Sequence, residues 1–134
     1  ELVGTFLGEK MPGVGISIGL TRLMSRLLKA DILKSLSATP AQVMVANLQA
    51  DLMPLYLKVS QQLRQAGVNV ITSFDKRGLG KQFQSADKQG IQFCVIIGAD
   101  EAEANKSSLK DLKSGEQTEV SLDKLAEEIK RRLN

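Results

Sequence analysis

Gly13, Gly15 and Gly19 stand at G-x-G-x-x-x-G spacing within the apolar run PGVGISIGLTRLMSRLL (residues 12–28), and the segment after them carries Arg22 and Arg26. Close glycines ahead of a basic helix are the ingredients of a phosphate-binding turn, in which backbone N–H groups and a guanidinium meet an anion. Here the spacing is one residue longer than the dinucleotide fingerprint, the glycines fall inside a strand-like run rather than after it, and no Gly-Lys-Ser/Thr follows. Neither a dinucleotide turn nor a Walker loop is therefore expected. A glycine within a strand instead marks a place where another backbone or a ligand comes close.

Two further clusters are charged. Lys76, Arg77, Lys81 and Lys88 crowd residues 74–90 against Asp75 and Asp87, and Lys106, Lys110 and Lys113 follow against Asp111. A formal net charge of +3 is a mild basic bias, compatible with a nucleic-acid partner, so distribution matters more than the sum. Between the clusters lie Asp100, Glu101 and Glu103, which read as a solvated helix start rather than a divalent-cation site. No metal site is expected.

Other chemistry is excluded by composition. The chain has no histidine, which removes the commonest general base, the serine and cysteine triads built on it, and the usual zinc ligand. Cys94 is the single cysteine and sits in the apolar run IQFCVII, so it reads as core, and a reducing compartment, the cytoplasm, is the expectation. No run approaches the roughly 18 apolar residues of a membrane span. The first residue is Glu1 rather than Met, which suggests a piece of a longer protein or a trimmed methionine.

The elements that must position these groups follow from periodicity. LVGTFL (2–7) and GVGISIG (13–19) read as strands joined by a turn with Lys10 and Pro12, and a helix follows over about 20–30. Such a piece cannot bury both faces of a sheet alone. Small and polar residues up to Pro40 mark a linker over 31–41. From 42 onward, three apolar strands (QVMVANL, VNVITSF, IQFCVIIG) alternate with two helices. The first helix is read with Asp51 as N-cap, Pro54 at its third position and Gly67 as C-cap; the second ends at Gly90. Strands separated by helices pair in parallel through right-handed crossovers, so the loops after them (48–51, 74–78, 98–101) open at one edge, where α/β sheets bind ligands. Two short strands around Ser114-Gly115 then form a hairpin, with Lys106, Ser108 and Lys110 on one face, and a last helix is read as capped by Ser121. The fold class is α/β: a mixed five-stranded sheet of three parallel βαβαβ strands plus an antiparallel hairpin and flanking helices, preceded by a strand pair and helix.

At this point the residues carry a resemblance. FLGEKMPGVGISIGLTRLMSRLL resembles motif 3 of the class II aminoacyl-tRNA synthetases, most closely the histidyl branch, with Thr21 where that family usually carries glutamate. FDKRGLGKQFQSADKQGIQFCVIIGADE and SSLKDLKSGEQTEVSLDKLAEEI are similar to the anticodon-binding domain shared by the histidyl, threonyl, prolyl and glycyl enzymes. The resemblance implies a remnant of a catalytic domain over 1–30, the linker over 31–41 and an anticodon-binding domain over 42–134. It implies that Arg22, with Gly19 before it, contacts ATP, and that Lys76, Arg77, Glu101, Lys106 and Lys110 face the anticodon of a histidine tRNA.

For the whole enzyme the resemblance implies ATP and Mg2+ as cofactors, attachment of histidine to its tRNA, and a homodimer in the cytoplasm. The piece alone is expected to be catalytically inactive and to need no cofactor, with neither membrane nor DNA as partner. Two rivals stay open: a non-catalytic, synthetase-like regulatory or tRNA-sensing module, and a flavodoxin-like small-ligand domain suggested by the parallel sheet alone.

Overall fold

The computed structural model describes residues 13–33 and 39–133, together with Phe6 and Gly8. The chain divides into two compact units, Glu1–Leu36 and Ser37–Asn134. Apart from Phe6 and Gly8, the strand expected over 2–7 and its turn lie outside the described residues, as does the middle of the linker.

In the first unit α1 (Leu20–Lys29) matches the expected helix. Leu20, Leu23, Met24 and Leu27 fall on one face at helical spacing, and Arg22, Arg26 and Lys29 on the opposite face. The chain leaves the helix through Asp31, held at φ +57° while the Ile32 N–H donates back to the Leu27 carbonyl at 3.1 Å. Residues 13–19 correct the expectation of a strand: they form no ladder, and Val14, Ile16 and Ile18 are exposed. A strand exists by exchanging N–H and C=O bonds with a neighbour, and no described residue supplies that neighbour.

The second unit is one sheet between helices. Its elements are β1 (Val43–Val45), a 3₁₀ turn (Ala50–Leu52), α2 (Met53–Gln65), β2 (Val70–Thr72), α3 (Leu79–Lys88), β3 (Phe93–Ile96), α4 (Ala99–Glu103), β4 (Lys106–Asp111), β5 (Gln117–Ser121) and α5 (Leu125–Leu133). The strand order is β2-β1-β3-β4-β5, with β1 parallel to both β2 and β3 and the β4–β5 hairpin antiparallel, as expected. The crossover to β2 runs one way from β1 and the crossover to β3 runs the other. Right-handedness therefore places α2 and α3 on opposite faces. Val43, Val45, Phe93, Val95 and Leu109 meet Tyr56, Val59 and Leu63 of α2 and Leu125 and Ile129 of α5. On the other face Met44, Ala46, Cys94 and Ile96 meet Ala86 of α3.

Helix ends explain two differences from the sequence reading. Asp51 belongs to the 3₁₀ turn and caps nothing; Leu52 is the N-cap of α2, and Pro54 sits in the first turn, where its missing N–H has no helical partner anyway. Ser121 is the last residue of β5, so a turn over 122–124 separates it from α5. Gly67 and Gly90 do end their helices. Each has positive φ (+84° and +77°), and the next N–H bonds back to Leu63 and Ala86 respectively, both at 3.0 Å.

Candidate nucleic-acid interface

The sheet's direction of growth reverses between β1 and β3, which creates a crevice at the carboxyl ends of these strands. Three loops meet along that edge: 46–49 after β1, 73–78 after β2 and 97–98 after β3. Two buried polar side chains tie them together. Gln82 of α3, 1% exposed, accepts from the Asn47 N–H (3.0 Å) and donates to the carbonyls of Asn47 (2.7 Å) and Arg77 (2.8 Å). Tyr56 of α2, fully buried, donates its hydroxyl to the Ile97 carbonyl (2.9 Å) and accepts from the Gln49 N–H (3.2 Å). The edge is a braced surface rather than three independent loops.

Sequence reading did not single out Gln82, and it took Tyr56 only as an apolar helix position. For Gln82 the signal was present: on the Leu79, Phe83, Ala86 face of α3 it is a polar residue at a core position, and such residues are there to satisfy something.

The five residues expected to face an anticodon fall in two places. Lys76 and Arg77 lie in the loop after β2, both exposed. Lys76 has no ion-pair partner among the described residues, whereas Arg77 forms an ion pair with Asp75 and takes its backbone N–H to Asp75 Oδ1 at 2.9 Å. The hydrogen bonds from Arg77 hold the Asp75 carboxyl at a pKa of about 2. Glu101 stands in the first turn of α4, where its carboxylate accepts from the Gly98 N–H at 3.0 Å, half of a capping box. One oxygen of Glu101 is thus fixed by the backbone of the crevice. Lys106 opens β4 and pairs with Glu119 of β5 at 2.5 Å, both side chains being about half exposed.

Lys110 does not share the carboxyl edge with the other four. It lies in register with Cys94, four residues down β4 from Lys106, roughly 13 Å at about 3.3 Å per residue. There its ammonium sits 4.8 Å from the centroid of the Phe83 ring. The expected alternation holds: Ser107 and Leu109 are buried, while Lys106, Ser108 and Lys110 share the other face. α3 covers that face over β1 and β3, so the β4–β5 part presents Lys106, Lys110, Gln117 and Glu119 as a polar surface. Along the outside of α3, Lys81, Gln84, Ser85 and Lys88 line a groove of about 290 Å³ with Arg77.

In the first unit Gly19 is the N-cap of α1 and Arg22 lies one turn in, exposed. With Ser17, Ser25, Arg26 and Lys29 they line an open groove of about 870 Å³. Its cations suit phosphate oxygens. For Mg2+ the fit fails here, since Asp31 is the sole carboxylate among the described residues of this unit. No group of three or more candidate metal ligands exists among the described residues, and none of their helices is long and apolar enough to cross a membrane. Cys94 is buried, and desolvation pushes its thiol up to about 12.

Residues 42–132 match the family model described as "Anticodon binding domain". Among curated proteins, the chain is 81% identical over its whole length to a histidine–tRNA ligase of Nostoc punctiforme and 39% identical over 94% of its length to that of Stenotrophomonas maltophilia. It spans only 28% and 27% of those proteins. Among solved structures, the histidyl-tRNA synthetase of a Nostoc species superposes with a TM-score of 0.74 at 80% identity, over 100% of this chain and 32% of that one. The RNA-binding domain of threonyl-tRNA synthetase from Cryptosporidium parvum shares the fold at 19% identity, with a TM-score of 0.64 over 69% of this chain and 24% of that one. The family model covers more than half of the chain, and the chain belongs to the anticodon-binding-domain family.

Proposed function

We propose that this chain is the C-terminal part of a histidine–tRNA ligase and that its working surface binds the anticodon region of a histidine tRNA. Residues 42–134 form the anticodon-binding domain, 31–41 the linker, and 1–30 the remnant of the catalytic domain, where Arg22 faces the phosphates of ATP in the whole enzyme. The whole enzyme uses ATP and Mg2+ to attach histidine to its tRNA, as a homodimer in the cytoplasm. The piece alone does not form the adenylate, so ATP–pyrophosphate exchange by it would contradict this reading.

What supports the proposal is that Lys76, Arg77, Glu101 and Lys106 all stand on segments at the carboxyl end of the parallel strands. Ammonium and guanidinium groups attract phosphates of any sequence. A fixed carboxylate accepts from an unpaired base edge and so discriminates, and unpaired loops are the RNA elements that proteins read most readily. The 81% identity over the whole chain to a histidine–tRNA ligase favours that specificity over a regulatory module. The experiment is a titration of the chain with histidine tRNA and with the same tRNA carrying a scrambled anticodon. Tighter binding of the former is expected, and equal binding would remove base readout from the account.

A further inference from the structure

The aromatic inventory of the second unit contains one ring that the core does not use. Tyr56 and Phe93 are fully buried and Phe83 is covered by Lys110, but Phe74 is 67% exposed. Leaving a phenyl ring in water forgoes the hydrophobic stabilisation that burial of such a side chain provides. A lone exposed ring on a mobile loop would need no explanation. This loop is pinned on both sides of its turn. The Asp75 N–H donates to Ser73 Oγ at 3.3 Å, Arg77 is bound to Asp75, and Gln82 Nε2 donates to the carbonyls of Asp75 (3.3 Å) and Arg77 (2.8 Å).

The position of the ring matters as much as its exposure. Thr72 pairs with Val45, so Phe74, two residues beyond Thr72, lies on the same carboxyl edge as Asn47 and the half-exposed Leu48. Leu48 in turn reaches Gly98: its Cδ2 would stand 3.5 Å from a Cβ placed there, beside the Glu101 carboxylate. Along one edge the chain thus sets out an exposed ring, an apolar side chain and a fixed hydrogen-bond acceptor, with the exposed Lys76 two residues beyond the ring in sequence. A nucleobase asks for that combination: a face to stack on, and a partner for its polar rim.

We propose that Phe74 is the stacking platform for an unpaired base of the bound RNA; the proposal rests on the tRNA-binding reading above. Because the loop is held in place before binding, stacking costs little ordering, and its contribution is independent of ionic strength.

The test uses the absence of tryptophan from the chain. In Phe74→Trp, indole emission reports this position alone. An RNA hairpin carrying the histidine anticodon in its unpaired loop is expected to quench the emission at least two-fold at saturation, and a blunt duplex of the same length is expected to leave it unchanged. In parallel, Phe74→Ala weakens hairpin binding roughly 5- to 150-fold with no change in the slope of affinity against salt. A hairpin that binds tightly without quenching, or a duplex that quenches equally, overturns the platform and leaves the tRNA-binding reading standing. If the unmodified chain binds no hairpin, that reading itself fails and the platform fails with it.

Discussion

The side-chain amide of Gln82 closes a ring on the backbone of Asn47, accepting from its N–H at 3.0 Å and donating to its carbonyl at 2.7 Å. A helix side chain thereby does for the end of β1 what a neighbouring strand does for its middle. Both residues are buried, so neither bond has water as a substitute.

Removing that amide strands two backbone groups of Asn47 and the carbonyl of Arg77. At about 1–3 kcal/mol for each unsatisfied buried group, partly relieved by relaxation, Gln82→Ala is expected to cost about 2–4 kcal/mol. Urea unfolding of the variant measures this, and a loss below about 1 kcal/mol would show that the brace is dispensable. RNA affinity should fall as well, since the loops after β1 and β2 would no longer be held in register.

Glu101 has a structural duty and a proposed reading duty, and two substitutions separate them. Glu101→Ala removes the acceptor for the Gly98 N–H and should cost about 1 kcal/mol, while Glu101→Gln keeps an oxygen there and should cost little. Both should lose discrimination among anticodons. Thermal denaturation and competitive binding of cognate and scrambled hairpins check the two halves. Full discrimination in Glu101→Gln would leave the carboxylate with capping alone.

The loop after β2 holds its own counter-charge. Asp75 titrates near 2 because Arg77 hydrogen-bonds its charged form, so its folded value lies below the ordinary carboxylate range near 4. The pair's stabilising effect is therefore fully present above about pH 4 and is lost as pH falls toward 2. At pH 5 and above the Asp75 carboxylate stays ionised. Asp75→Asn releases Arg77 and removes a negative charge from the phosphate path, so binding should tighten a few-fold, with unchanged affinity counting against this loop as a contact.

Cys94 should be chemically silent. Burial raises its thiol to about 12, so at pH 8 a disulfide reagent is expected to react with it only as the protein opens. The comparison is between native protein and protein in concentrated guanidinium. Rapid native labelling would mean that the α3 face of the sheet is not closed over β3.

Much of the second unit was legible in the sequence because its signals are local and repeated. Apolar strands of a few residues, Gly67 and Gly90 past helix ends, and Ser114-Gly115 between two short strands are enough to give order and pairing. The errors arose where a local signal competed with its surroundings. Asp51 and Ser121 are good cap residues, yet the chain turns before α2 and α5 begin, and side-chain capacity alone does not reveal that. Residues 13–19 have strand composition, but strand formation depends on a neighbour that composition cannot supply. Lys110 was grouped with the anticodon-facing residues by resemblance, and alternation gives the face of a side chain but not its height along the strand; the register with Cys94 supplies the height. The brace of Gln82 links residues 35 apart and depends on the folded crossover.

The central claim, that the carboxyl edge of this sheet grips the anticodon region, is tested most directly by the salt dependence of binding of a histidine-anticodon hairpin. For the unmodified chain and for Lys76→Ala/Arg77→Ala, the logarithm of affinity is measured against the logarithm of salt concentration. With about 0.7 unit of slope for each phosphate contact to an unpaired strand, the double variant is predicted to bind more weakly, with a slope shallower by about 1.4. Equal affinity and equal slope in the two proteins would contradict the account.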